Sequence, residues 1–302
     1  MARRKPATVH GLAVVDKPAG MTSHDVVARA RKLLSERRIG HSGTLDPDAT
    51  GVLLLGVGSV TRLLRFLTAL GKSYTGEVVF GSATDTLDAS GTVTATYEMP
   101  GLTLERVRAA AAGLTGEIDQ IPPMVSAVSV GGRRLHELAR EGIEIEREAR
   151  RVTVRRFDVD SMIADPAHPL GVFPIAVDCS SGTYVRTLAA DLGTALGGGA
   201  HLRNLRRTSI GSFGLDEAVA LDELDREALL TPMQALRDYP AVDVDARTAA
   251  LVATGRILER DLGFDGAGPW AVRDGAGRLL AVYELHGERV KPAVVLPADD
   301  LG

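Results

Sequence analysis

The stretch GHSGTLDPDATGVLLLGVG, residues 40–58, sets two acids two residues apart directly ahead of an apolar run. No polar side chain interrupts Val52–Val57, so that run is buried in any fold the chain adopts. A carboxylate at the mouth of a core segment, beside a histidine, is more than a turn requires. The reading of the chain depends on which acid acts, Asp46 or Asp48, and in what chemistry.

Three readings of the loop compete when it is taken alone. Asp46-Pro-Asp48-Ala-Thr50 matches D-x-D-x-T, the nucleophile motif of haloacid-dehalogenase-type phosphotransferases. That motif ends an apolar strand, whereas the segment ahead of it here, RRIGHSGTL, is polar and glycine-rich. D-x-D-x-T-G also resembles the start of a calcium loop, but its twelfth position, Val57, would have to be a bidentate Glu. In the third, Asp46 merely caps a helix.

Outward from the loop, 302 residues with 45% hydrophobic and 25% charged content describe an ordinary globular chain with ample core material. One cysteine, Cys179, excludes an intrachain disulfide and a cysteine zinc site and suits a reducing cytoplasm. No apolar run approaches the roughly 20 residues that span a bilayer. The seven histidines are scattered, so no metal is expected. The net charge of −4 hides an asymmetry: residues 1–211 carry +4 and residues 212–302 carry −8. The basic residues cluster in RARKLLSERRIGH, GGRRLHELAREG, REARRVTVRR and HLRNLRRTS, a pattern equally suited to a phosphate backbone and to solvated faces.

GLAVVD (11–16), SYTGEVVFG, VTVRRFDVD and VFPIAVDCSSG read as strands. Ser23–Glu36, capped by Thr22 or Ser23, reads as a helix, as do TRLLRFLTALG, TLERVRAAAAGLTG and TYVRTLAADLGTALGG. Strands and helices do not alternate regularly, which predicts an α+β fold with a mixed, largely antiparallel sheet and flanking helices. Beyond about residue 235 the pattern changes to short strands with Asp-Gly punctuation. A boundary there separates a domain 1–235 from a small β-rich module 236–302.

GLAVVDKPAGMTSHDVV, the 40–58 stretch, KSYTGEVVFG, TDTLDASG, QIPPMVSAVSVGGRRLHELAREG and CSSGTYVRTLAADLG with AHLRNLRRTSIG occur in that order. Together they closely resemble the TruB family, the bacterial tRNA pseudouridine-55 synthases, from about residue 11 to residue 215. The tail resembles that family's PUA-like RNA-binding module. The resemblance implies a cofactor-free isomerase acting on the T-arm stem-loop of tRNA, without a guide RNA, as a cytoplasmic monomer. It makes Asp46 the catalytic acid and Asp48 a loop residue. It assigns Arg186 as the partner of Asp46, Tyr74 as the platform for a flipped base, Tyr184 as a pocket wall and Lys17 as support. His41 fills the space left by the base, Leu205 contacts the base, and Arg206 and Arg207 are left for phosphates or structure. The segment 122–151 resembles an RNA-gripping thumb in which Arg133, Arg134 and Arg140 supply charge. Val125, Ser129 and His136 depart from the tyrosine, lysine and tyrosine expected there.

Overall fold

A computed structural model of the chain describes residues 7–126, 129–130, 133–134, 141, 143 and 145–297. His136 and Arg140 lie outside the described residues, and Arg134 is described only as backbone in a two-residue pairing with Ser129.

The larger sheet has eleven strands, of which nine organise it: β1 (Gly11–Lys17), β2 (Ile39–His41), β3 (Thr50–Val57), β4 (Lys72–Phe80), β5 (Gly116–Gln120), β6 (Arg150–Val159), β7 (His168–Cys179), β8 (Ala200–Ile210) and β9 (Val219–Ala220). Their order is β9-β1-β3-β8-β4-β7-β6-β5, with β2 paired to β3 off this path. Only β9/β1 and β3/β8 run parallel along that path. The fold is therefore α+β with a mixed, mostly antiparallel sheet. A separate five-stranded sheet begins at Ala241.

The apolar run of residues 52–57 becomes β3, a central strand buried on both faces. Val52 and Leu54 join Leu12 and Val14 on one face, and Leu53, Leu55 and Val57 join Ala13 and Val15 on the other. Period-two alternation cannot show in a strand covered on both sides, which is why its sequence is continuous. Helix α1 (Ser23–Leu33) covers the second face with Val26, Val27 and Ala30. Thr22 is its cap: the Thr22 side chain accepts from the Asp25 amide, and the Asp25 carboxylate accepts from the Thr22 amide. It stops short of Glu36 because Ser35 turns to φ +52°. The segment TRLLRFLTALG is a 3₁₀ turn followed by the short helix α2 (Leu64–Ala69).

On the other half of the sheet, α3 (Leu104–Gly113) and α4 (Val185–Ala195) share a core with one face of β4, β6 and β7, including Phe80, Val107, Phe157, Phe173 and Leu188. The C-terminal sheet does not hang free. Ala271, Leu279, Val282, Val294 and Leu296 form one buried cluster with Leu12, Val60, Phe66, Ile210, Phe213 and Leu236 of the larger sheet's side.

Each basic cluster has at least one residue paired with an acid. HLRNLRRTS lies in β8 and fills the centre of the sheet: Arg203 bonds Glu77 and Asp165, and Arg206 bonds Asp16. In REARRVTVRR, Arg151 pairs with Asp119 and Arg156 with Asp178. Arg133 is exposed and pairs with Glu141. Among the described residues no helix is long and apolar enough to cross a membrane.

Candidate active site

The loop between β2 and β3 is held from below. Lys17 is fully buried at the end of β1, and its ammonium donates to the carbonyls of Pro18, Met21 and Pro47 at 2.6–2.8 Å. Burial brings its pKa down to about 8, against the nearby charges of Asp48 and Asp46. The Gly20 amide donates to the same Pro47 carbonyl, and the Leu45 amide donates to the Ser23 hydroxyl. Where the loop enters β3, Gly51 has φ +102°, and a Cβ there would lie 2.1 Å from the Arg207 carbonyl oxygen. Only glycine fits.

This anchoring presents Asp46 to the first turn of α4. Arg186 Nε lies 3.0 Å from Asp46 Oδ2, and Arg186 Nη2 donates to Oδ1 at 3.2 Å, a two-point pairing across 140 residues of sequence. Arg186 is 5% exposed and is itself fixed by the Thr86 and Val125 carbonyls and by Asp88 Oδ2 at 3.3 Å. Asp46 keeps 39% of its side chain open to solvent. Even so, lost hydration raises its pKa; Arg186 opposes the rise and the like charge of Asp88 adds to it.

Asp88 is the residue that sequence reasoning missed. TDTLDASG stands out as a motif, but nothing in its spacing distinguishes one acid. Asp88 Oδ1 accepts from the Thr86 hydroxyl and from the Ser90 amide and hydroxyl, which aims Oδ2 at Arg186. Gln120 was also missed. Its side chain accepts from the Tyr184 amide and donates to the Tyr184 carbonyl, fixing the turn before α4.

Two cavities meet at Asp46, Arg186 and Leu205. One, of about 250 Å³, is lined also by Lys72, Tyr74, Tyr184 and Arg207. The other, of about 300 Å³, is lined by Asp48, Thr86, Asp88 and Asn204. The geometry thus brings Asp46, Tyr74, Tyr184, Arg186 and Leu205 to one cavity. Lys17 lies beneath it. His41 stands outside both walls, with its ring 5.5 Å from His24 and its buried Nδ1 without a hydrogen-bond partner among the described residues; burial lowers its pKa.

Of the two roles open to Arg206 and Arg207, phosphate contact or structure, both side chains make structural bonds. Arg207 is 1% exposed and donates to the carbonyls of Val52 and Gly43, so it does not present itself to a phosphate at the surface. The Arg206 guanidinium is spent on Asp16 and Thr50. Among the described residues no group of three or more His, Cys, Asp or Glu side chains is placed to hold a metal ion.

A buried arginine thus grips an ionisable acid beside an aromatic wall on a mixed antiparallel sheet, in a chain whose sequence is that of a pseudouridine synthase. The fold agrees: a Cbf5 chain from a Cbf5-Nop10-Gar1 complex superimposes with a TM-score of 0.72 at 25% identity, covering 96% of this chain and 86% of that one. The chain belongs to the TruB family. Residues 31–185 match the N-terminal domain of TruB family pseudouridylate synthases. Residues 186–239 match a tRNA pseudouridylate synthase B C-terminal domain, and residues 239–297 match the tRNA pseudouridine synthase II C-terminal domain. The tRNA pseudouridine synthase B of Streptomyces coelicolor is 46% identical over 96% of this chain and 98% of its own length. That of Mycobacterium tuberculosis is 45% identical over 96% and 97%.

Proposed function

We propose that the enzyme converts uridine 55 in the T-arm loop of tRNA to pseudouridine, with Asp46 as its catalytic group. The observation that carries this reading is the two-point Asp46–Arg186 pair at the mouth of a cavity walled by Tyr74 and Leu205. A loop nucleotide is stacked in free tRNA, so the base is extracted into that cavity before reaction, at a cost of a few kcal/mol of unstacking. Tyr74 then offers the flipped base a ring to lie on, and His41, outside the cavity, is free to occupy the vacated stack. The isomerisation breaks N1–C1′ and makes C5–C1′; C5 gives up a proton and N1 gains one. A carboxylate serves either as nucleophile or as base in this sequence. Arg186 keeps it ionised against desolvation.

The reaction needs no cofactor and no guide RNA in this reading, and the chain acts as a cytoplasmic monomer. The 236–302 module is proposed to bind RNA as a PUA-like domain. The test is incubation of the purified protein with an unmodified tRNA transcript, followed by mapping of pseudouridine. Modification at position 55 by the parent, and none by Asp46→Asn at undiminished tRNA affinity, is expected. Modification that persists in Asp46→Asn would remove the assignment.

A further inference from the structure

Arg207 and Lys72 have no place in the reaction as described so far, yet both are buried cations on the wall of the 250 Å³ cavity that holds Asp46 and Tyr74. Neither has a carboxylate partner among the described residues. Lys72 is 7% exposed, and its ammonium donates to the carbonyls of Thr68 and Leu70 at 2.5–2.6 Å, leaving one of its three protons unassigned. Arg207 spends two N–H groups on Val52 and Gly43, and its charge also bears on the Tyr74 hydroxyl. With Arg186, the cavity has three buried cations and one carboxylate. A buried charge without a counter-charge is costly, and the other interior arginine, Arg186, has two acids to offset it.

We propose that the missing negative charge arrives with the substrate: Arg207 and Lys72 hold the anionic uracil released when the glycosidic bond breaks. This deepens the reading above and rests on it. When N1–C1′ breaks, its electron pair remains on N1 and spreads to O2 and O4 of the ring. C1′ is either captured by the Asp46 carboxylate or becomes part of a double bond as Asp46 removes a neighbouring sugar proton. The detached ring carries one negative charge until C5 attacks C1′. Preorganised donors aimed at charge that develops only during reaction accelerate the step without tightening ground-state binding. A backbone phosphate is a poorer occupant. It is tethered to a sugar on each side, whereas Arg207, at 1% exposure, is reached only from within the cavity.

The experiment compares single-turnover glycosidic cleavage in T-arm RNA carrying uridine or 5-fluorouridine at the target position. Fluorine withdraws electrons and stabilises the departing anion, so it replaces part of what the cations supply. Lys72→Gln is expected to slow cleavage of uridine about ten- to a hundredfold but that of 5-fluorouridine by less than about threefold, with RNA affinity unchanged. Lys72→Arg, which keeps the charge, should stay near the parent. Arg207→Gln gives the same comparison independently, and thermal melting establishes that each variant is folded. Equal losses on both substrates would mean a structural role and would overturn the proposal. So would an unchanged rate, or weakened binding with a shallower salt dependence, which would mark a phosphate contact. If the parent forms no pseudouridine at position 55, the proposed function fails, not this assignment alone.

Discussion

The loop that carries Asp46 and the interface that carries the C-terminal sheet both attach to the same β-strands, but with opposite chemistry. The loop is held by buried charges and carbonyls: Lys17 on three carbonyls, Arg207 on two, Arg186 on two carbonyls and two carboxylates. The interface is an apolar cluster, Ile210, Phe213 and Leu236 against Leu279, Val282 and Leu296, flanked by polar contacts such as Arg65 to Glu284 and Arg62 to the Val295 carbonyl. Directional bonds fix a carboxylate within tenths of an ångström and contribute little net stability. Non-directional burial contributes stability and tolerates small shifts. Substitution of the carboxylate that the loop presents should therefore lower the rate and spare the fold, and substitutions at the interface should do the reverse.

Asp46→Asn is the strongest test of that contrast. Single-turnover pseudouridine formation should fall at least about a thousandfold, on the order of 4 kcal/mol. Melting temperature should hold or rise slightly. The folded pKa of Asp46 is raised, so its ionisation costs stability as pH rises through the window above the ordinary carboxylate value, and a neutral amide removes that cost. A variant that loses the fold along with the activity would break the comparison.

Leu296→Ala, at a position 4% exposed in the shared cluster, should cost about 2–5 kcal/mol in denaturant unfolding. Its rate at saturating tRNA should stay within a few-fold of the parent. A large rate loss in a protein still fully folded would show that the interface also aligns the active site.

The pH profile sharpens the loop's side of the contrast. If Asp46 acts as proposed, its ionised form is the active one, and the rate should fall on the acid side at a pH above the usual carboxylate range. Asp88 raises the Asp46 pKa by like charge, so Asp88→Asn should move this acid limb to lower pH. A limb that moves up, or not at all, would mean that Asp88 acts mainly by positioning Arg186. The smallest effect belongs to Asp48→Asn. Asp48 is exposed at the rim of the second cavity and is expected to leave single-turnover rate within about threefold.

That Asp46, Tyr74, Tyr184, Arg186 and Leu205 belong together was legible before the fold was known, because the resemblance to the TruB family singles out each of them by its motif, and the five do line one cavity. Asp88 could not be read: its role depends on a short turn that directs one oxygen away from the loop's own hydroxyls. Arg207 was legible in principle. Residues two apart on a strand share a face, so placing Leu205 against the base also placed Arg207 inward and Arg206 on the opposite side. Taking HLRNLRRTS as a basic cluster concealed the strand. The edge-to-centre order of the sheet, with β8 between β3 and β4, follows from long-range pairing that no local pattern encodes. The interface cluster was hidden for the same reason, since its two halves are separate short apolar runs in the chain.

That cluster also governs what can be transplanted. A graft of the C-terminal sheet from a relative, joined in the link before Ala241, would leave Ile210, Phe213 and Leu236 facing a foreign surface. A working chimera has to match those three positions and also Leu12, Val60 and Phe66 to the incoming sheet, so the unit to be transplanted is not contiguous in the chain.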